Sequence, residues 1–197
     1  MLLAAPIAFP FLVAVLCFAL RERGGAVRIA SLAGALGLCA ISGAILWATL
    51  EGGPQSAQMS GWPAPFGITL AADALSGALL CVTAVAGAFS VLFGFAEVEA
   101  GEERLGHHTL VHMLLAGISG AFVTGDFFNL YVWFEVLVIS CFGLLVLRGG
   151  RLQLDGAMRY VGLNLIATIA FLIGVGLLYG ATGALNMADL HQKTAAM

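Results

Sequence analysis

The stretch FNLYVWFEVLVIS, residues 127–139, carries one carboxylic acid, Glu135, among uncharged and mostly apolar neighbours. An ionised carboxylate in hydrocarbon costs roughly 3 kcal/mol on insertion scales and more by simulation, so this side chain should face protein or internal water. Desolvation favours the neutral form of a carboxyl. An acid held this way is suited to binding and releasing a proton. The other reading is a protonated acid that hydrogen-bonds a neighbouring helix and braces the bundle. Three more polar residues interrupt apolar runs: His112, Asn164 and Thr168. A histidine can relay protons. Asn and Thr either line a water-filled path or join helices by hydrogen bonds. Asp73 and Asp126 precede apolar runs, where an aspartate caps a helix N-terminus or, for Asp73, gathers cations at an entrance. No nucleotide loop, metal-ligand cluster or nucleophile triad is present. The sequence therefore calls for no catalytic residue, no metal and no cofactor.

The elements that must hold these groups are membrane spans. Of 197 residues, 61% are hydrophobic and 10% charged, and the apolar residues form runs of about 20, enough to cross a bilayer at ~1.5 Å per residue. Most runs are apolar on every side, unlike the striped helices of soluble domains or the alternation of a barrel. The spans are expected at 2–20, 28–50, 71–96, 108–124, 127–147 and 157–180, forming one multi-pass domain over 1–197 with an outer loop at 51–70. The first run is followed by RERGGAVR, whereas a secretory signal has its charge in front, so it reads as a retained span. Pro6 and Pro10 are tolerable in its opening turns. Cys17, Cys39, Cys81 and Cys141 each lie inside an apolar run and read as small core residues.

Arg21, Arg23, Arg28, Arg104, Arg148, Arg151 and Arg159, all seven arginines, fall in the first, third and fifth connections. The positive-inside rule places these in the cytoplasm and both termini outside. The expected location is the cell (inner) membrane. In the third connection, EVEAGEERL reads as a solvated loop or helix end. The long second connection should lie on the outer surface, with Phe66, Ile68 and Leu70 alternating as one strand of a hairpin and Trp62 at the interface. Gly117 with Ala121, and Ala116 with Gly120, allow close helix packing.

Glu135 falls about eight residues, or ~12 Å, from the outer end of the fifth span. The sixth span runs the opposite way, so Thr168 reaches about the same level, Asn164 lies one turn nearer the cytoplasm, and His112 lies near the cytoplasmic end of the fourth. A ladder of His112, Asn164, Thr168 and Glu135 is the expected inner half of a proton path.

GWPAPFGITLAADALS, TGDFFNLYVWFEVLV and YVGLNLIATIAFLIGVGLLYGATGALNMADL, in this order, strongly resemble the D subunit of Mrp-type multisubunit cation/proton antiporters. That family is similar to the antiporter-like subunits of respiratory complex I and of membrane-bound hydrogenases. The resemblance covers essentially all of this chain and only the N-terminal part of a family member. It implies an all-α membrane fold, in whole members a bundle of about fourteen helices with two inverted repeats. Glu135 matches the family's fifth-helix glutamate, which pairs with a lysine from the seventh helix. The one lysine here, Lys193, lies in the tail. The chain thus reads as a fragment, a split subunit or a reduced relative.

The implied activity is exchange of protons for Na+ or another monovalent cation by a secondary transporter subunit. The implied partners are other membrane subunits and a chain or segment supplying further helices and the missing lysine, with no nucleic acid. Two alternatives stand beside it: a proton-pumping subunit of a complex I-like or hydrogenase-like redox complex, and a non-transporting scaffold.

Overall fold

The computed structural model describes residues 2–62 and 67–195. A short 3-10 turn leads into α1 (Ala5–Leu20), followed by α2 (Gly24–Gly52), β1 (Gln55–Gln58), β2 (Thr69–Ala72), α3 (Ala74–Glu97) and α4 (Ala100–Leu105). Then come α5 (His107–Val123), α6 (Phe127–Val146), α7 (Arg151–Thr182) and α8 (Met187–Ala195). The fold is all-α and integral to the membrane, with a small two-stranded sheet. Leu2–Leu20, α2, α3, α6 and α7 are long and apolar enough to cross a bilayer, and α5 is a shorter apolar helix. Pro6 sits in the first turn of α1, where an amide hydrogen would have no helical partner; Pro10 is accepted inside the helix and buried.

Helix α5 is central, packed against α1, α3 and α6 and touching α2, while α7 packs chiefly on α6. Small residues make this possible: Ala35, Ala84 and Ala116 are fully buried between the helices. The four cysteines are free thiols within helices; Cys17 is fully buried.

The arginine-bearing connections meet at one end. There EVEAGEERL ends α3 and forms the short α4, mostly exposed as expected, except that Glu103 is 3% exposed and accepts a hydrogen bond from Arg28 Nε at 2.6 Å. Glu102 pairs with Arg148. Helix α4 forms because Glu102, three residues after Glu99, reaches back to accept from the Glu99 amide at 2.9 Å. Gly106, at φ 106°, turns the chain so that α5 starts at once. Helix α7 likewise begins within RGGRLQLDGAMR. Its 32 residues exceed the length of an untilted bilayer span, and its N-terminal part is braced by Arg159 Nη2 donating to Asp155 at 2.8 Å.

At the opposite end β1 and β2 pair antiparallel, with Gln58 opposite Thr69 and Gln55 opposite Ala72. Leu70 and Ala72 point into the core. Phe66 lies outside the described residues. Ile68 precedes the strand and is exposed, and its carbonyl accepts from the Met59 amide at 2.9 Å, which closes the hairpin. The strand edge is then sealed by the turns of distant helices. Gly125 N donates to Thr69 O (2.8 Å), Met187 N to Gly125 O (2.9 Å) and Asn186 Nδ2 to Thr69 Oγ1 (2.8 Å). Trp62 is exposed near this end.

Candidate proton-binding site between α6 and α7

The direction of Glu135 is set by how α6 starts and what it leans on. Asp126 caps α6, accepting from the Asn129 amide at 2.8 Å, and Asn129 Nδ2 donates to Thr124 Oγ1 at 2.9 Å, so the short turn from α5 is rigidly bonded. Gly117 and Gly120 of α5 then receive α6: a Cβ on Gly117 would meet the Leu137 backbone, and one on Gly120 would collide with the Trp133 ring. With residues 133 and 137 turned to α5, residue 135 faces away from it, since two residues turn a helix by about 200°. That direction leads to α7.

Glu135 lines a half-open groove of about 170 Å³ between α6 and α7, together with Val138, Phe142, Asn164 and Thr168 and with Ile139 and Leu165, which are exposed at its rim. An adjoining space of about 230 Å³ shares Val138, Asn164 and Thr168 and extends to Tyr131 and Phe171. Glu135 Oε1 is buried and has no hydrogen-bond partner among the described residues. No ion pair reaches Glu135 from any described cation. Asn164 Nδ2 is occupied by the Tyr160 carbonyl of its own helix at 2.8 Å. A groove of this size has room for several waters at about 30 Å³ each, and the carboxyl, amide and hydroxyl groups supply the polar partners they need. Such an arrangement can hold a proton on the carboxyl and pass it to water.

The structure brings Glu135, Asn164 and Thr168 together and sets His112 apart. His112 is fully buried on the α2 side of α5, where its Nε2 lies 3.1 Å from both Oγ and the carbonyl oxygen of Ser31. The expected four-residue ladder is therefore interrupted: α5 turns its histidine face to α2 and its glycine face to α6. His108, Ser31, Glu103 and Arg28 join His112 in this second cluster, and sequence reasoning assigned none of the four to a site. A sequence signal existed, since His108 and His112 are four apart and share one helical face.

Asp73 caps α3, accepting from the Ser76 amide at 2.8 Å, which holds its carboxyl below the usual range. It borders an open bowl of about 630 Å³ with Gln58, Asn186 and Asp189. Lys193 on α8 donates to the Thr182 carbonyl at 2.8 Å, at the end of α7 and away from Glu135. Among the described residues no three His, Cys, Asp or Glu side chains form a group that could hold a metal ion.

No family model matches the chain. It is 42% identical over 188 residues to the D subunit of the Na(+)/H(+) antiporter of Bacillus subtilis (strain 168), covering 95% of this chain and 38% of that protein. Among solved structures it matches a chain of the Mrp complex from Dietzia sp. DQ12-45-1b with a TM-score of 0.89 at 30% identity, over 96% of this chain and 36% of the other. It also matches a chain of the archaeal membrane-bound sulfane sulfur reductase, a respiratory membrane complex, with a TM-score of 0.89 at 31% identity, over 95% of this chain and 39% of the other. The chain thus spans less than two fifths of the length of each of these proteins.

Proposed function

Because the chain is homologous to the D subunit of Mrp-type cation/proton antiporters, we propose that it forms the proton-binding part of such a subunit, with Glu135 as the group that takes up and releases the proton. The observation that carries this reading is the unpartnered, buried Glu135 oxygen at a groove shared with Asn164 and Thr168. A carboxyl lined by neutral residues changes its charge when it gains or loses a proton, and the groove leaves room for water beside it to carry that proton. Asn164 and Thr168 order the water. The exchanged ion is Na+ or another monovalent cation. The partners are other membrane subunits, together with helices that bring a cation against Glu135. The arginine-bearing end faces the cytoplasm and both termini face outward, in keeping with the positive-inside rule.

The test is Glu135→Gln in the full-length subunit within a complete complex, with exchange read from a pH-sensitive dye in vesicles. Gln keeps the shape and cannot titrate. Loss of exchange with normal assembly is the expected result, and unaltered exchange would overturn the reading.

The equally close match to the sulfane sulfur reductase complex favours a second reading, in which the same acid serves a redox-driven pump. Co-purification of iron–sulfur or flavin subunits would select that reading. Full activity and assembly in a Glu135→Ala complex would instead leave only a bracing role.

A further inference from the structure

We propose that Glu103, His108, Ser31 and His112 form a second proton-transfer site, a hydrogen-bonded wire from the arginine-bearing end to the buried core, separate from the Glu135 groove. The groups are in sequence in space. Arg28 Nε donates to Glu103 Oε1 at 2.6 Å, and His108 Nε2 lies 3.3 Å from the same oxygen. His108 Nδ1 lies 3.0 Å from Ser31 Oγ, and Ser31 Oγ lies 3.1 Å from His112 Nε2. Ser31 and His112 are fully buried, His108 is 1% exposed and Glu103 3%.

One contact fixes which way the hydrogens point. His112 Nε2 also faces the Ser31 carbonyl at 3.1 Å. A carbonyl only accepts, so Nε2 must carry the hydrogen. Ser31 Oγ–H is then free to donate to His108 Nδ1, and His108 Nε2–H donates to the Glu103 carboxyl that Arg28 also bonds. Every donor points toward Glu103. His112 Nδ1 is left as a lone pair, buried and without a partner among the described residues. That orphan is the inner terminus.

Proton transfer along the wire balances. Water that reaches the inner end as hydronium gives its proton to His112 Nδ1 and is left as water; the Nε2 hydrogen passes to Ser31 Oγ, whose own hydrogen passes to His108 Nδ1; the His108 Nε2 hydrogen passes to Glu103, which releases it to solvent. Rotation of the Ser31 hydroxyl and reversal of both imidazole tautomers restore the start. The reversed chain turns a lone pair of His112 Nε2 onto the Ser31 carbonyl, so the resting polarity is the one described. The groups that face the rings are few. His107 lies beside His108 on α5 (ring centres 5.4 Å apart), α4 contributes Glu103 and Glu102, and α2 contributes Arg28. Helix α3 contributes the edge of Phe95, α1 contributes Val13 beside His112, and α6 meets α5 through Trp133, Leu137 and Gly143.

This inference does not depend on the role of Glu135. The test uses the full chain with 15N-labelled histidine in lipid bilayers, His112 being assigned by a His112→Gln control. Solid-state NMR should find His112 as the Nε2–H tautomer, its hydrogen exchanging with water. Ser31→Ala, and separately Glu103→Gln, should slow that exchange at least tenfold, while Glu135→Gln leaves it unchanged. Should Ser31→Ala fail to fold, Glu103→Gln, which keeps an acceptor for His108 but cannot take its proton, carries the test. An Nδ1–H tautomer on His112, or exchange as fast in Glu103→Gln as in the parent, would overturn the proposal. A purely structural network would lower the melting temperature and leave the exchange rate where it was.

Discussion

Gly117 of α5 lies against the backbone of Leu137 on α6, so closely that a Cβ there would stand 3.0 Å from the Leu137 amide nitrogen. Neither backbone can yield without moving a whole helix. Gly117→Ala should therefore cost about 1–3 kcal/mol, the range for overpacking a tight contact. Gly156, where an added Cβ meets nothing within 4 Å, is the control, and Gly156→Ala should be neutral or mildly stabilising. Thermal unfolding in detergent checks both.

Thr168→Val and Asn164→Leu remove polar groups from the Glu135 groove while keeping its bulk. Each should slow proton-coupled exchange in a complete complex roughly tenfold, the equivalent of one hydrogen bond to a charged group. Neither should slow it further in a Glu135→Gln background. Dye-based exchange assays on all three single variants and the two doubles decide the point.

Asp126→Ala removes the cap of α6 and leaves the Asn129 amide without its acceptor. The expected loss is about 1 kcal/mol, typical for an N-cap. Asp126→Asn should recover most of it, since the amide oxygen can still accept. Melting temperatures of the two variants, compared side by side, give the answer.

The tie between α4 and the start of α7 should be sensitive to acid. Hydrogen bonds from Arg148 and the Glu99 amide hold the Glu102 carboxyl below the usual carboxylate range. A lowered folded-state value means that this contribution is fully present above the unfolded value of about 4.3 and is lost as pH falls through the folded value. Arg148→Gln should lower the melting temperature at pH 7 and have a smaller effect at pH 3. An equal effect at both values would mean that Glu102 is not titrating in this contact.

The membrane class and the isolated acid were legible because hydropathy is a local property: the 20 residues 127–146 display both. Facing was not legible, because these helices are apolar all round and carry no stripe to point inward. What decides that Glu135 looks at α7 is the fit of Trp133 and Leu137 against Gly120 and Gly117, a relation between two helices. The same limit hid the second cluster. Glu103 is one more acid in a charged connection until the fold brings Arg28, 75 residues away, into a bond with it. Ser31 is one of three hydroxyls in α2, with Ser42 and Thr49, and only the approach of α5 gives it two imidazoles.

The bond from Asn186 to Thr69 joins residues 117 positions apart in the chain. During synthesis the hairpin emerges long before its edge can be closed, for the turn carrying Asn186 follows α7. Until then the Gly125 carbonyl, which accepts from the Met187 amide in the finished fold, must find its partner in water. The seal can therefore close only after α7 has formed and the chain has turned back toward the strands.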